Sequence, residues 1–251
     1  MTIKLLQGDC LERMKEIPDK SIDAIITDPP YGTTACKWDS VIPFEPMWEQ
    51  LKRIIKPNGA IVLFGSQPFT SALVMSNPKM FKYCFGWNKV LPRGHLNAAI
   101  QPLRVLEDIA VFADGRSTYN PQKTSGHKRK VANTRYEKAA DGSQVYGGEK
   151  RDTHYDSSER YPTTLLTFST ADQSGKKHPT QKPVALMEYL IKTYTNEGET
   201  ILDFTAGSGT TGIAALNTNR NAILIEREPE YCEIIKRRIA DCISKQLVKI
   251  C

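Results

Sequence analysis

Cysteine is scarce and scattered. The six in 251 residues are Cys10, Cys36, Cys84, Cys232, Cys242 and Cys251, and none forms a Cys-x-x-Cys pair or stands at metal-ligand spacing from a histidine. That excludes the zinc ribbons and fingers, and implies reduced thiols and no metal site. No apolar run reaches the length that spans a bilayer. The opening residues, Met1 to Asp9, lack the charged, apolar and small-residue layout of a secretory signal. No internal repeat is present, which removes solenoids and propellers. Neither sign of charge dominates: 34 basic against 28 acidic residues leave a net charge of +6, a mild excess that permits a nucleic-acid partner without requiring one. With 40% hydrophobic residues, the expectation is a soluble intracellular protein with one sizeable core, or a core and a smaller lobe.

What is present reads as alternating strands and helices. Thr2–Gln7 is expected as a strand, Gly8-Asp9 as a turn, and 10–17 as a helix stopped by Pro18-Asp19. The β-branched run Ile22–Thr27 reads as a buried strand. A helix near 46–55 has Met47, Trp48, Leu51, Ile54 and Ile55 on one face. Pro57-Asn58-Gly59 closes it, and Ala60–Phe64 is the next strand. Such a strand–helix–strand unit favours a parallel sheet. Tyr83–Val90 and Asp108–Ala113 read as further strands. After residue 178 the spacing predicts a helix over Val184–Tyr194, a strand over Thr200–Phe204, a helix over 210–216, a strand over Asn221–Glu226 and a last helix from Pro229 toward Lys245.

Residues 114–178 differ from the rest. They hold 12 basic and 8 acidic residues, four of the six net charges, together with Tyr119, Tyr136, Tyr146, Tyr155 and Tyr161. No period is visible, so this is expected as an inserted, loop-rich lobe; a disordered polar loop has the same composition.

Two turns carry chemistry. Gly207-Ser208-Gly209-Thr210-Thr211-Gly212 follows a strand and opens a helix. Glycine permits the tight turn and lets a ligand touch backbone, while the helix N-terminus offers free N–H groups to an anion. Glu226, ending the next strand, can accept from two ribose hydroxyls. By itself this turn indicates a nucleotide-like cofactor, and an NAD-dependent dehydrogenase fits it equally well. The second turn, Asp28-Pro29-Pro30-Tyr31, ends the 22–27 strand. Its prolines fix the backbone and remove N–H donors, leaving a carboxylate, the Pro29 carbonyl and an aromatic ring in one small volume. That set suits an exocyclic amino group, whose lone pair is delocalised into its ring. Two acceptors on its two hydrogens draw the nitrogen toward sp³ geometry, and an aromatic ring stacks on the flipped base.

Around these turns the chain resembles a known family, the amino-methyltransferases of DNA in the permuted beta-class order. The resemblance is carried by Gly8-Asp9-Cys10, Thr27-Asp28-Pro29-Pro30-Tyr31-Gly32, Trp87-Asn88-Lys89, Leu106-Glu107, His178-Pro179-Thr180-Gln181-Lys182-Pro183, Leu202 to Thr211 and Glu226. It implies an S-adenosylmethionine-dependent α/β fold: a mostly parallel, seven-stranded twisted sheet with helices on both faces and an inserted target-recognition lobe. Residues 1–113 would be the catalytic part, 114–177 the inserted region and 178–251 the cofactor-binding part. It also implies roles. Asp28 and Pro29 would accept from the target amino group, with Pro30 completing the turn, and Tyr31 would stack on the base. Asp9 would meet the cofactor adenine, with Cys10 beside it, and Asp203 the methionine ammonium, with Asp28 close by. Thr180, Gln181 and Lys182 would lie near the methionine carboxylate. Phe204, Thr205, Gly207, Gly209, Thr210 and Thr211 would form the cofactor turn, and Glu226 with Arg227 would hold the ribose. Lys128, Arg129, Lys130 and Arg135 would take phosphates of double-stranded DNA.

Two departures bear on this reading. The family pattern Asp-Pro-Phe-x-Gly-x-Gly is here Asp203-Phe204-Thr205-Ala206-Gly207-Ser208-Gly209, so threonine stands where phenylalanine is usual. No cysteine follows a proline, so the Pro-Cys nucleophile in which enzymes that methylate carbon 5 of cytosine resemble one another is missing. The implied reaction is methylation of adenine N6 by a cytoplasmic protein of bacterial or phage type, as monomer or homodimer. Alternatives are cytosine N4, an RNA or protein amide as substrate, and a DNA-binding protein on an inactive scaffold.

Overall fold

The computed structural model describes residues 1–33, 39–134, 153–170 and 181–248. In chain order these form β1 (Ile3–Gln7), α1 (Cys10–Met14), β2 (Ile22–Thr27), α2 (Phe44–Ile54), β3 (Ile55–Gly65), α3 (Phe69–Ser76), β4 (Phe81–Arg93), a 3₁₀ turn (His95–Asn97), β5 (Arg104–Phe112), β6 (Lys130–Thr134), β7 (Thr153–Ser157), β8 (Leu165–Thr167), α4 (Val184–Tyr194), β9 (Thr200–Asp203), α5 (Thr210–Asn217), β10 (Asn221–Glu226) and α6 (Pro229–Val248). They divide into two compact units, Met1–Asn120 with Thr164–Cys251, and Pro121–Thr163.

In the larger unit the described strands form one sheet of eight, in the order β1-β10-β9-β2-β3-β5-β4-β8. The count exceeds the expected seven because β8, too short to show a period in the polar 114–178 stretch, pairs parallel with β4. Pairing is parallel from β1 through β3. Within this sheet only β5 runs against its neighbours, antiparallel to both β3 and β4.

Side-chain alternation on the strands serves both faces. Ile22 and Ile25 of β2 pack with Met14, Trp48, Leu51 and Leu73, so α1, α2 and α3 cover one face. Ala24 and Ile26 pack with Leu190, Ala215 and Ile235, so α4, α5 and α6 cover the other. The helix after β2 and the helix after β9 therefore lie on opposite faces, while β2 and β9 are adjacent. That makes the β2–β9 boundary the switch point of the sheet, where open α/β sheets hold ligands beyond the strand C-termini.

Local chemistry explains several element ends. Asp9 caps α1 by accepting from the Leu11 N–H at 2.9 Å, and α1 stops at Met14, three residues short of the expected end. Pro57-Asn58-Gly59 lies within β3, where the register steps from Ile22↔Ile55 to Ala24↔Ala60. The extra residues form a bulge, and a β-carbon at Gly59 would lie 2.8 Å from the Asp23 carbonyl. Helix α3 was not anticipated from sequence; its apolar residues lack an amphipathic rhythm. Among the described residues, no helix is long and apolar enough to cross a membrane.

The smaller unit contains the antiparallel pair β6–β7, joined through Lys130↔Ser157 to Thr134↔Thr153. A bridge between Thr124 and Arg160 extends it.

Candidate active site

Both motif turns open into one cavity of about 550 Å³ at the switch point. Strand β2 delivers Asp28 to it and β9 delivers Asp203. The two strand ends are tied together: the Thr205 hydroxyl donates to the Asp28 carbonyl at 3.0 Å and lies 2.6 Å from the Thr27 hydroxyl. Thr27 in turn donates to Asp203 Oδ1 at 2.6 Å. The threonine that departs from the family pattern is thus a strut between the two turns.

Asp28 stands in a charged cluster. Its Oδ1 accepts from the Tyr31 hydroxyl at 2.5 Å and its Oδ2 from Lys182 Nζ at 2.5 Å. Lys182 also lies 3.0 Å from Glu107 Oε1, and Lys89 reaches Glu107 Oε2 at 3.2 Å. The Lys182 ammonium sits 5.0 Å from the Phe64 ring centroid and 5.9 Å from that of Trp87, within cation–π range. Trp87 is fixed by an indole N–H bond of 2.9 Å to the Phe168 carbonyl, just beyond β8. The Tyr31 ring stacks on Phe69, centroids 5.0 Å apart.

Burial sets the proton affinities in this cluster. It pushes Asp28 above the usual carboxylate range; Lys182 pulls back only in part, and Glu107 adds to the rise. Burial works against Glu107 too, but Lys182 and Lys89 together outweigh it and hold that carboxyl low. Burial would lower Lys182, yet the carboxylates of Asp28 and Glu107 hold it above its ordinary value. Burial, with the same two carboxylates, keeps the Tyr31 phenol protonated and hence a donor.

The other half of the cavity is built on the glycine turn. Gly207 and Gly209 have φ of 53° and 78°, a region that disfavours side chains. A β-carbon at Gly209 would stand 2.9 Å from Ile235 Cγ1. Glu226 Oε2 accepts from the Gly207 N–H at 2.7 Å and Oε1 from the Glu228 N–H at 2.9 Å. Burial raises its pKa. Asp203 accepts from Thr27, from the Thr205 N–H and from the Thr211 hydroxyl, and burial still lifts its pKa to about 6. Arg238 of α6 holds the turn from behind, donating to the Ser208 carbonyl at 2.5 Å. Burial lifts the Cys10 thiol to about 12, so it is no nucleophile.

Of the residues singled out from sequence, Asp9, Cys10, Asp28, Pro29, Pro30, Tyr31, Gln181, Lys182, Asp203, Phe204, Thr205, Gly207, Thr210, Thr211, Glu226 and Arg227 all line this cavity. Gly209 shapes the turn without lining it. Thr180 and Arg135 lie outside the described residues. Lys182, expected beside a carboxylate of the cofactor, has its ammonium on Asp28 and Glu107. Asp9 has a structural task as the cap of α1. In the smaller unit Lys128, Arg129 and Lys130 are exposed, but Arg129 forms a two-pronged pair with Asp156, at 2.7 and 2.6 Å, rather than presenting a free guanidinium.

Sequence reasoning did not assign Glu107, Lys89, Trp87, Asp39 or Arg238. The motifs Trp87-Asn88-Lys89 and Leu106-Glu107 were the available signal for the first three. Asp39, which accepts from the Gly32 and Thr33 N–H groups at 2.8 and 3.0 Å, had none.

Comparison with known proteins agrees with this geometry. The N6/N4 methyltransferase family model, described as DNA methylase, matches residues 22–237. The type II methyltransferase M.HpaI of Haemophilus parainfluenzae is 30% identical over 260 residues, covering 95% of this chain and 74% of the relative. M2.MboI of Moraxella bovis is 28% identical, covering 93% and 86%. The crystal structure of M1.HpyAVI in complex with SAM superposes with a TM-score of 0.63 at 27% identity, covering 94% of this chain and all of the other. The cytosine-N4-specific PvuII DNA methyltransferase shares the fold, with a TM-score of 0.68 at 17% identity over 98% and 92% of the two chains.

Proposed function

Because this chain belongs to the DNA methylase family, we propose that it transfers a methyl group from S-adenosylmethionine to an exocyclic amino group of double-stranded DNA, and specifically to N6 of adenine. The observation that carries the reading is the shared cavity. The Asp28 turn and the Gly207 turn are joined through Thr205, so a methyl donor on one side and an amino group on the other come into direct reach.

The residues present fit the cofactor. Asp203, whose carboxylate is short of stabilisation when charged, suits an ammonium group. Each Glu226 oxygen takes one backbone N–H and keeps a lone pair, which suits a ribose diol. Once bound, S-adenosylmethionine supplies an electrophilic methyl on a sulfonium.

The chain's own residues prepare the acceptor. Tyr31 and Lys182 each occupy one oxygen of Asp28, which aims the carboxylate and leaves a lone pair on each oxygen for a target N–H. The Pro29 carbonyl offers a second acceptor with no competing N–H from Pro29 or Pro30. Tyr31, backed by Phe69, provides the platform for the base. As the amino nitrogen gains positive charge, the adjacent carboxylate stabilises it. The burial that raises Asp28 also makes it the stronger proton acceptor when that nitrogen sheds its proton. Aspartate at the head of the turn supports adenine, following the resemblance.

The test is methyl transfer from labelled cofactor to duplex DNA, RNA and protein, followed by mass spectrometry of the nucleosides. N6-methyladenine is the expected product. N4-methylcytosine alone would assign the other base, and label only in RNA or protein would remove DNA as the substrate.

A further inference from the structure

The β4–β5 hairpin continues past the residues that wall the cavity. Trp87 and Lys89 of β4 and Glu107 of β5 line it. Beyond a register irregularity after Asn88↔Leu106, the final pair is Arg93↔Arg104. Residues directly opposite on paired strands project to the same face, and both arginines border the cavity and are exposed. Like charges placed so are destabilising. Among the described residues neither arginine is in an ion pair; Arg93 donates only to the Thr170 hydroxyl, at 3.2 Å. Local choices that work against the fold mark places where function sets the residue, and an anion between the two guanidinium groups would remove the repulsion. The end of the hairpin is apolar in an equally unusual way. Leu96 is wholly exposed and Ile100 is 81% exposed, on either side of the 3₁₀ turn's last residue, Asn97.

We propose that this hairpin end is a DNA clamp: Arg93 and Arg104 hold a backbone phosphate beside the extruded target nucleotide, while Leu96 and Ile100 press into the base stack it leaves. The inference rests on the cavity being the amino-methyltransferase site. A nucleotide rotated out of a duplex carries its own phosphates to the mouth of the pocket that receives it, and the mouth is where the arginine pair stands. Exposed aliphatic side chains flanked by basic ones are what a wedge between base steps requires. Charge complementarity and continuity with the cavity wall thus select duplex DNA over a second copy of this chain.

The full-length protein is tested on a labelled duplex containing an adenine that the wild type methylates. In the variant combining Arg93→Gln with Arg104→Gln, the slope of log affinity against log salt should flatten by about 0.9 for one phosphate. All sequences should be weakened alike, and affinity for S-adenosylmethionine by calorimetry should be retained, which also shows that the variant folds. In the variant combining Leu96→Ser with Ile100→Ser, methylation of the paired duplex should fall roughly tenfold or more. A duplex with the target adenine mismatched should suffer much less, because the base is already unstacked. An unchanged salt slope with an unchanged paired-to-mismatched ratio overturns the clamp. So does loss of a dimer in sedimentation with that ratio unchanged, which would make the hairpin end a contact between copies. If the wild type methylates no DNA, the failure lies earlier, in the reading of the cavity, and duplex DNA falls with it.

Discussion

Asp28 is held by two donors, Tyr31 and Lys182, that come from its own turn and from a residue 154 positions away. On the proposed mechanism, replacing Asp28 with Ala removes one acceptor for the target amino group and should leave the glycine turn intact. A hydrogen bond to a charged group contributes about 1.5–3 kcal/mol, so single-turnover methyl transfer should slow by roughly tenfold to a hundredfold, with cofactor affinity changing much less. Near-normal turnover would place the catalytic centre elsewhere. Lys182→Met is the complementary change. It leaves Asp28 and Glu107 close together with no ammonium between them, so the Asp28 pKa, already raised, rises further. On the proposed mechanism activity needs the ionised carboxylate and is lost as pH falls through that pKa. The acid limb of the kcat profile should therefore move to higher pH, and a limb that stayed in place would show that Lys182 does not tune Asp28. Asp203 offers a stability counterpart. Its folded pKa of about 6 exceeds the ordinary carboxylate value of 3.8, so the folded state binds the proton more tightly than the unfolded one. This group's contribution is present below about pH 4 and lost as pH rises through about 6, by up to ~3 kcal/mol. Urea unfolding of the apo protein and of Asp203→Asn across pH 4–7 should show the wild type losing stability relative to the variant as pH rises. A constant difference would mean Asp203 ionises without penalty.

At the scale of elements, the cofactor turn depends on backbone conformation and on one arginine. Gly209→Ala places a β-carbon at a positive φ and within 2.9 Å of Ile235, so thermal denaturation should report a loss of at least about 1 kcal/mol. Arg238→Met removes the donor to the Ser208 carbonyl and should weaken cofactor binding while DNA affinity holds; unaltered calorimetry would show that the turn needs no support from α6. These elements were legible in sequence. β9, α5 and β10 follow from a short aliphatic run, a glycine pair and a second such run, each a signal within ten residues. β8 was not, since three residues with a single buried member have no period to read, and their strand state depends on β4 lying alongside. α3 is not legible in the sequence because its apolar residues Phe69, Ala72, Leu73, Val74 and Met75 do not fall on one helical face.

At the scale of the molecule, the smaller unit offers a separable test. Replacing residues 121–163 with a short Gly/Ser linker should leave a protein that still binds S-adenosylmethionine, because all elements of the cavity belong to the larger unit. Binding to DNA should weaken and lose sequence preference, as measured by competition between duplexes. Retained preference would transfer target recognition to the larger unit. The amino-acid sequence by itself determined the two turns, most of the alternation of strands and helices, and the turn residues that line the cavity, though not Trp87, Lys89, Glu107 or Asp39 beside them. These rest on rules that act over a few residues: proline fixes φ, glycine permits positive φ, and β-branched runs favour strands. Only the tertiary structure decided the partners of Asp28. β5 must run against its neighbours to bring Glu107 opposite Trp87, and the strand order must set β2 beside β9 before Thr205 can brace Asp28. Those placements follow from burying both faces of one sheet at once, a condition on the whole chain that no local spacing encodes.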